Sequence, residues 1–147
     1  MTPTQSFNKM LVLVTNEFDG IFDKGGKPYI LHLLKVMYYL KSEDLELQTI
    51  ALGHDLIEDR KNITYAMLIE MGFSERVILG IRAMTKVPGE TNDEYLARIK
   101  ANPDAIKVKL CDLRHNSDIR RLKGVTAKDV ARIEKYHKMY LELKDLA

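Results

Sequence analysis

An all-α fold, one compact bundle of about seven to eight helices spanning residues 1–147, is predicted by three features of the sequence. Apolar residues recur three and four apart along most of the chain, as the buried face of a helix requires. Ser, Thr or Asn stands just ahead of most of these runs, where a side-chain oxygen can accept the first free backbone N–H groups. No stretch alternates convincingly at period two, so a sheet is not expected. The length suits a single domain able to bury its own core, and no repeat, low-complexity tract or linker divides it.

The first amphipathic run extends roughly from Ser6 to Phe22 and stops at the turn Lys24-Gly25-Gly26-Lys27-Pro28. Pro28 is placed to open a second helix carrying Ile30, Leu33, Leu34, Met37 and Leu40. Ser42 heads a third, apolar through Leu45, Leu47, Ile50, Ala51 and Leu52, that continues into His54-Asp55-Leu56-Ile57-Glu58-Asp59. Thr64 caps a short helix ending near Gly72, Ser74 one reaching Thr85, and Thr91 one to about Lys100. Asn102-Pro103-Asp104 starts a helix through Ile106, Val108, Leu110 and Leu113, and Thr126 caps a last one with Val130, Ile133, Tyr136, Tyr140 and Leu143.

Composition narrows the function. A net charge of +2 lacks the Lys/Arg excess of a bulk-electrostatic nucleic-acid binder, so no nucleic-acid partner is expected. No apolar run is long enough to cross a bilayer, and the first residues lack the basic-then-apolar layout of a signal peptide. The single cysteine, Cys111, suits a reducing compartment, and the chain reads as cytoplasmic. The apolar helix surface leaves a homodimer open.

His54-Asp55 is the pair to weigh first. Adjacent residues on a helix point about 100° apart, so both can reach one ion at the helix surface. Imidazole nitrogen with carboxylate oxygen suits Mn²⁺, Fe²⁺ or Zn²⁺ better than Ca²⁺ or Mg²⁺. Such a pair is more often only a polar couple facing solvent. Here Glu58 and Asp59 follow one turn later, and carboxylates gathered near a helix C-terminus call for a compensating cation. His32 stands within an apolar helix, where a satisfied core histidine is the ordinary outcome. Asp112 stands on a strongly hydrophobic segment, where a buried aspartate needs an arginine or a metal; Arg114 is the near candidate, and Asn116 faces the same way one turn on.

Together these residues resemble the HD phosphohydrolase superfamily, whose signature H…HD…D is met by His32, His54-Asp55 and Asp112. Within it the chain is most similar to the hydrolase domain of the RelA/SpoT-type alarmone enzymes and their small single-domain relatives. The resemblance is carried by Gly26-Lys27-Pro28-Tyr29-Ile30-Leu31-His32, by His54-Asp55-Leu56-Ile57-Glu58-Asp59, by Thr85-Lys86, and by Lys109-Leu110-Cys111-Asp112-Leu113-Arg114-His115-Asn116. It covers roughly Lys24 to Tyr136.

The resemblance implies an HD-type bundle and one divalent metal, Mn²⁺ by family habit, on His32, His54, Asp55 and Asp112. It implies that Glu58 and Asp59 position and deprotonate a water, and that Asn116, Lys24 and Tyr136 meet a small-molecule nucleotide. The reaction implied is removal of 3′-pyrophosphate from (p)ppGpp. Three positions depart from the family pattern: Phe18 and Ile21 replace its His and Gln, and Asp23 replaces an arginine. They keep open an HD-type nucleotidase for another phosphate ester and, behind it, a non-catalytic nucleotide-binding domain. A two-metal site would need more histidines between His54 and Asp112 than the sequence holds. Of the other two histidines, His115 is expected beside the site and His137 on the surface.

Overall fold

Most helices begin on a side chain that accepts a backbone N–H. In the computed structural model, which describes residues 1–147, Thr2, Asp44, Thr64, Ser74, Thr91, Asn102 and Thr126 all do so. The helices they open are α1 (Pro3–Glu17), α3 (Leu45–Gly53), α5 (Tyr65–Glu70), α6 (Glu75–Met84), α7 (Asn92–Lys100), α8 (Pro103–Asn116) and α9 (Ala127–Leu143). Two helices lack such a cap, α2 (Ile30–Tyr39) and the single turn α4 (Leu56–Asp59). A 3₁₀ turn at Ile119–Arg121 precedes α9. The fold is all-helical: there is no strand, and the only β contact is an isolated antiparallel bridge between Phe22 and Pro28.

Three boundaries differ from those the sequence predicts. The first helix spans Pro3–Glu17 rather than Ser6–Phe22, because Thr2 and Gln5 form a reciprocal capping box and Pro3 occupies the first turn. Pro28 belongs to the bridge, and its carbonyl accepts the Leu31 N–H as α2 begins. Ser42 accepts the Asp44 N–H, and Asp44 is the cap of α3.

The expected helix through Asp59 is broken at His54–Asp55, which adds a ninth α-helical segment. There the His54 Nδ1–H donates to the Ala51 carbonyl at 2.6 Å, the acceptor an unbroken helix would offer to the Asp55 N–H. The Asp59 N–H then bonds Asp55 O and starts α4.

Helix α3 is the axis of the bundle. Ile50, Ala51 and Leu52 are fully buried among α1, α2, α6 and α8. Gly53 lets α1 come close beside His54, since a Cβ there would meet Met10 Cε at 2.8 Å. The core is one cluster running from Met10 to Leu143, and α2, α3 and α8 enclose a polar group within it. No helix is long and apolar enough to cross a membrane.

Candidate metal centre

Two helices and one helix break deliver four side chains to one point. His32 comes from α2, His54 and Asp55 from the break between α3 and α4, and Asp112 from α8. One donor atom from each lies within 4.8 Å of the others, an arrangement that can hold a metal ion. Asp112 Oδ1 lies 3.0 Å from His32 Nε2 and 3.2 Å from His54 Nε2. Asp55 Oδ2 lies 3.2 Å from His54 Nε2 and 3.6 Å from His32 Nε2. The side chains of His32 and His54 are 1% and 2% exposed and that of Asp112 is 6%, whereas Asp55 reaches 14% and forms the open edge.

Hydrogen bonds behind the ligands orient them as metal sites require. A carbonyl oxygen only accepts, so the bond to Ala51 places a proton on His54 Nδ1 and aims Nε2 at the two carboxylates. His32 Nδ1 meets His115 Nδ1 at 2.7 Å, with the two rings stacked at 5.0 Å. Burial, with Arg121 and His32 nearby, pushes the His115 pKa down to about 4, so His115 is neutral. We assign it as the acceptor, which frees His32 Nε2 for the centre. Asp55 Oδ2 accepts from the Tyr29 hydroxyl at 2.6 Å, and Tyr29 stacks on Phe18 at 5.1 Å. Phe18 thus steadies the ring that holds Asp55.

The electrostatics point the same way. Burial opposes an imidazolium at His54, but the Asp55 and Asp112 carboxylates outweigh it and hold its pKa well above 6.5. Burial likewise opposes charge on Asp112, yet the Lys109 ammonium and the His32 and His54 bonds hold its pKa well below 3.8. A neutral His54 would turn a lone pair toward two carboxylates. Either a proton or a cation must sit between them, and an N₂O₂ set of this kind suits a divalent transition metal.

Lys109, not Arg114, is the buried partner of Asp112, with Nζ 3.0 Å from Oδ2 and a side chain 12% exposed. Arg114 instead lies 3.9 Å over the Tyr39 ring. A side chain three residues along the helix shares the Asp112 face more nearly than one two residues along.

Glu58 and Asp59 fall on α4, beside Asp55. Glu58 Oε1 accepts the Lys86 N–H at 3.0 Å. Asp59 is exposed, its carboxylate has no hydrogen-bond or ion-pair partner in the protein, and its pKa is raised to about 6 by partial desolvation and the Asp55 and Glu58 charges.

A cavity of about 380 Å³ lies against Tyr29 and Asn116, the hydrogen-bond partners of Asp55 and Asp112, and Lys24, Asn116 and Tyr136 all line it, while the four candidate ligands do not. Asn116 uses both ends of its amide within the protein. Nδ2 donates to Asp112 Oδ1 at 3.0 Å, and Oδ1 accepts from Arg121 at 3.2 Å. His137 is exposed on α9. Arg121 and Arg132, which also line the cavity, were not singled out from sequence: Arg121 lies between helices, and Arg132 is one of many charged residues on the last amphipathic helix. No family model matches the chain.

Proposed function

We propose that the chain is a metal-dependent phosphohydrolase acting on a nucleotide, with 3′-pyrophosphorylated guanosine as the substrate its motifs favour. The observation that carries this reading is the convergence of His32, His54, Asp55 and Asp112, with Asp55 at the edge nearest solvent and a free carboxylate, Asp59, one turn beyond it. Mn²⁺ is the cation that the resemblance favours. When bound, it supplies neutralisation of phosphoryl oxygens and a lower pKa for water.

The protein's own groups divide the remaining work. Asp59, with its pKa raised to about 6, is suited to take a proton from the attacking water. Glu58, tied to the Lys86 backbone, is suited to orient that water. Hydrolysis breaks the bond between phosphorus and the 3′ oxygen, the water oxygen joins phosphorus, and the 3′ oxygen leaves with a proton as hydroxyl. The nucleoside then lies in the adjoining cavity against Lys24, Asn116 and Tyr136.

One observation favours another nucleotide ester as substrate. Two of the cavity's cations are already paired, Arg121 with Asp23 and Arg132 with Asp129, and Lys24 alone has no ion pair. That wall suits an uncharged base and sugar better than a second diphosphate. The deciding assay is pyrophosphate release from ppGpp, with Mn²⁺ and with chelator, for wild type and Asp55→Ala. Release that needs both Mn²⁺ and Asp55 supports the alarmone reading. Metal binding without release turns the assignment to another nucleotide ester, and absence of metal binding removes the catalytic reading altogether.

A further inference from the structure

We infer that Arg121 is a positioning residue for the metal centre, acting through Asn116 on Asp112 and through Asp23 on the loop that carries Tyr29 to Asp55; this rests on the metal reading above. Arg121 closes the 3₁₀ turn, and its side chain is 21% exposed. Its guanidinium spans two parts of the fold. Nη1 donates to the His115 carbonyl at 3.0 Å and to Asn116 Oδ1 at 3.2 Å, while Nη2 donates to Asp23 Oδ2 at 3.2 Å, across 98 residues.

The first arm decides how Asn116 is turned. With its oxygen held by the guanidinium, the amide must present Nδ2 to Asp112 Oδ1, the same oxygen that both ligand imidazoles face. A flipped amide would set its NH₂ against the guanidinium and its oxygen against a carboxylate. The second arm fastens the loop after α1. Asp23 Oδ1 accepts the Lys27 N–H, the Asp23 N–H bonds Lys27 O, and the bridge to Pro28 leads directly into Tyr29. The loop lies so close that a Cβ on Gly25 would collide with the Arg121 carbonyl oxygen.

Both ligand carboxylates therefore have an outer partner that Arg121 braces. Lysine is a poor substitute, because one ammonium cannot hold a fork of three separated acceptors. Asp23 gains a role as well: its charge, at the cavity wall, is paired with Arg121. Arg120 next door provides a matched comparison, since its side chain is 87% exposed and pairs only with Asp118.

The test is Co²⁺ titration of the full chain, reading the apparent Kd and the visible absorption of the bound ion. Arg121→Gln should weaken Co²⁺ roughly 10- to 100-fold and alter the spectrum, as loss of an outer partner does. Arg121→Lys should recover little of the loss, Asp23→Asn should lose less than Arg121→Gln, and Arg120→Gln should match wild type. Melting in chelator reports the fold of each variant separately. If Arg121 only pins the loop, Arg121→Gln and Asp23→Asn will melt lower while Kd and spectrum stay at wild-type values, which overturns the inference. If Arg121→Gln does not fold, Arg121→Lys decides on the same readouts. Wild type that binds no Co²⁺ removes the metal reading and this inference together; tight wild-type binding matched by the Arg121 variants removes this inference alone.

Discussion

In an Asp112→Asn variant the volume at the centre is unchanged, so no cavity opens, but a buried charge with four partners disappears. Asp112 is 4% exposed and meets His32 Nε2, His54 Nε2, Lys109 Nζ and Asn116 Nδ2 within 3.0–3.2 Å. The largest loss falls on Lys109, which keeps its ammonium in a site 12% exposed with its only ion-pair partner gone. Breaking one side of a buried pair costs about 3–5 kcal/mol, and the retained amide oxygen places this variant near the lower end. For a chain of this size each kcal/mol moves Tm by about 2–4 °C, so the metal-free variant should melt about 6–12 °C below wild type. Metal at a hundred times its Kd adds about 2.7 kcal/mol to wild type and, with a ligand missing, should add nothing comparable to the variant. Differential scanning calorimetry in chelator and in Mn²⁺ measures both gaps. Equal melting in chelator, or the same metal-induced rise in both proteins, would refute the argument.

Because the folded pKa of His54 lies above 6.5, its contribution to metal-free stability is full below that value and is lost as pH rises through the folded pKa. A cation must displace the same proton, so metal affinity should rise with pH from 6.5 upward and binding should release protons. Calorimetry in buffers of different ionisation enthalpy counts them, and pH-independent affinity would contradict the assignment. Asp59 acts on activity in the same direction: the rate should climb with pH as it deprotonates. The limb should centre at or below about 6, because the bound cation moves the metal-free value down. Asp59→Asn should abolish that limb and lower kcat by roughly 10²–10⁴-fold, as measured in a pH–rate series. Gly25→Ala should cost about 1–3 kcal/mol in urea unfolding, since its Cβ would strike the Arg121 carbonyl. Gly124→Ala, with nothing within 4 Å of the new Cβ, provides the comparison.

The sequence by itself determined the helical architecture and most helix starts, because capping and apolar periodicity act within a few residues. Thr64, Ser74, Thr91, Asn102 and Thr126 bond N–H groups three positions on, so their roles are local. The four candidate ligands were legible as a set only through the resemblance to the H…HD…D pattern; taken singly, His32 reads as a satisfied core histidine and Asp112 as a buried aspartate in need of a partner. What binds them was not legible, since it depends on where separate helices lie. His32 and Asp112 meet across 80 residues, and Arg121 and Asp23 across 98. The break at His54–Asp55 also needed the fold, because periodicity continues through it while a side chain there competes for a backbone acceptor. Asp23 makes the same point at the cavity wall. In the sequence it is an acid where the family pattern has an arginine; in the structure it pairs with Arg121, which also bonds Asn116, because charge pairing is settled through space rather than along the chain.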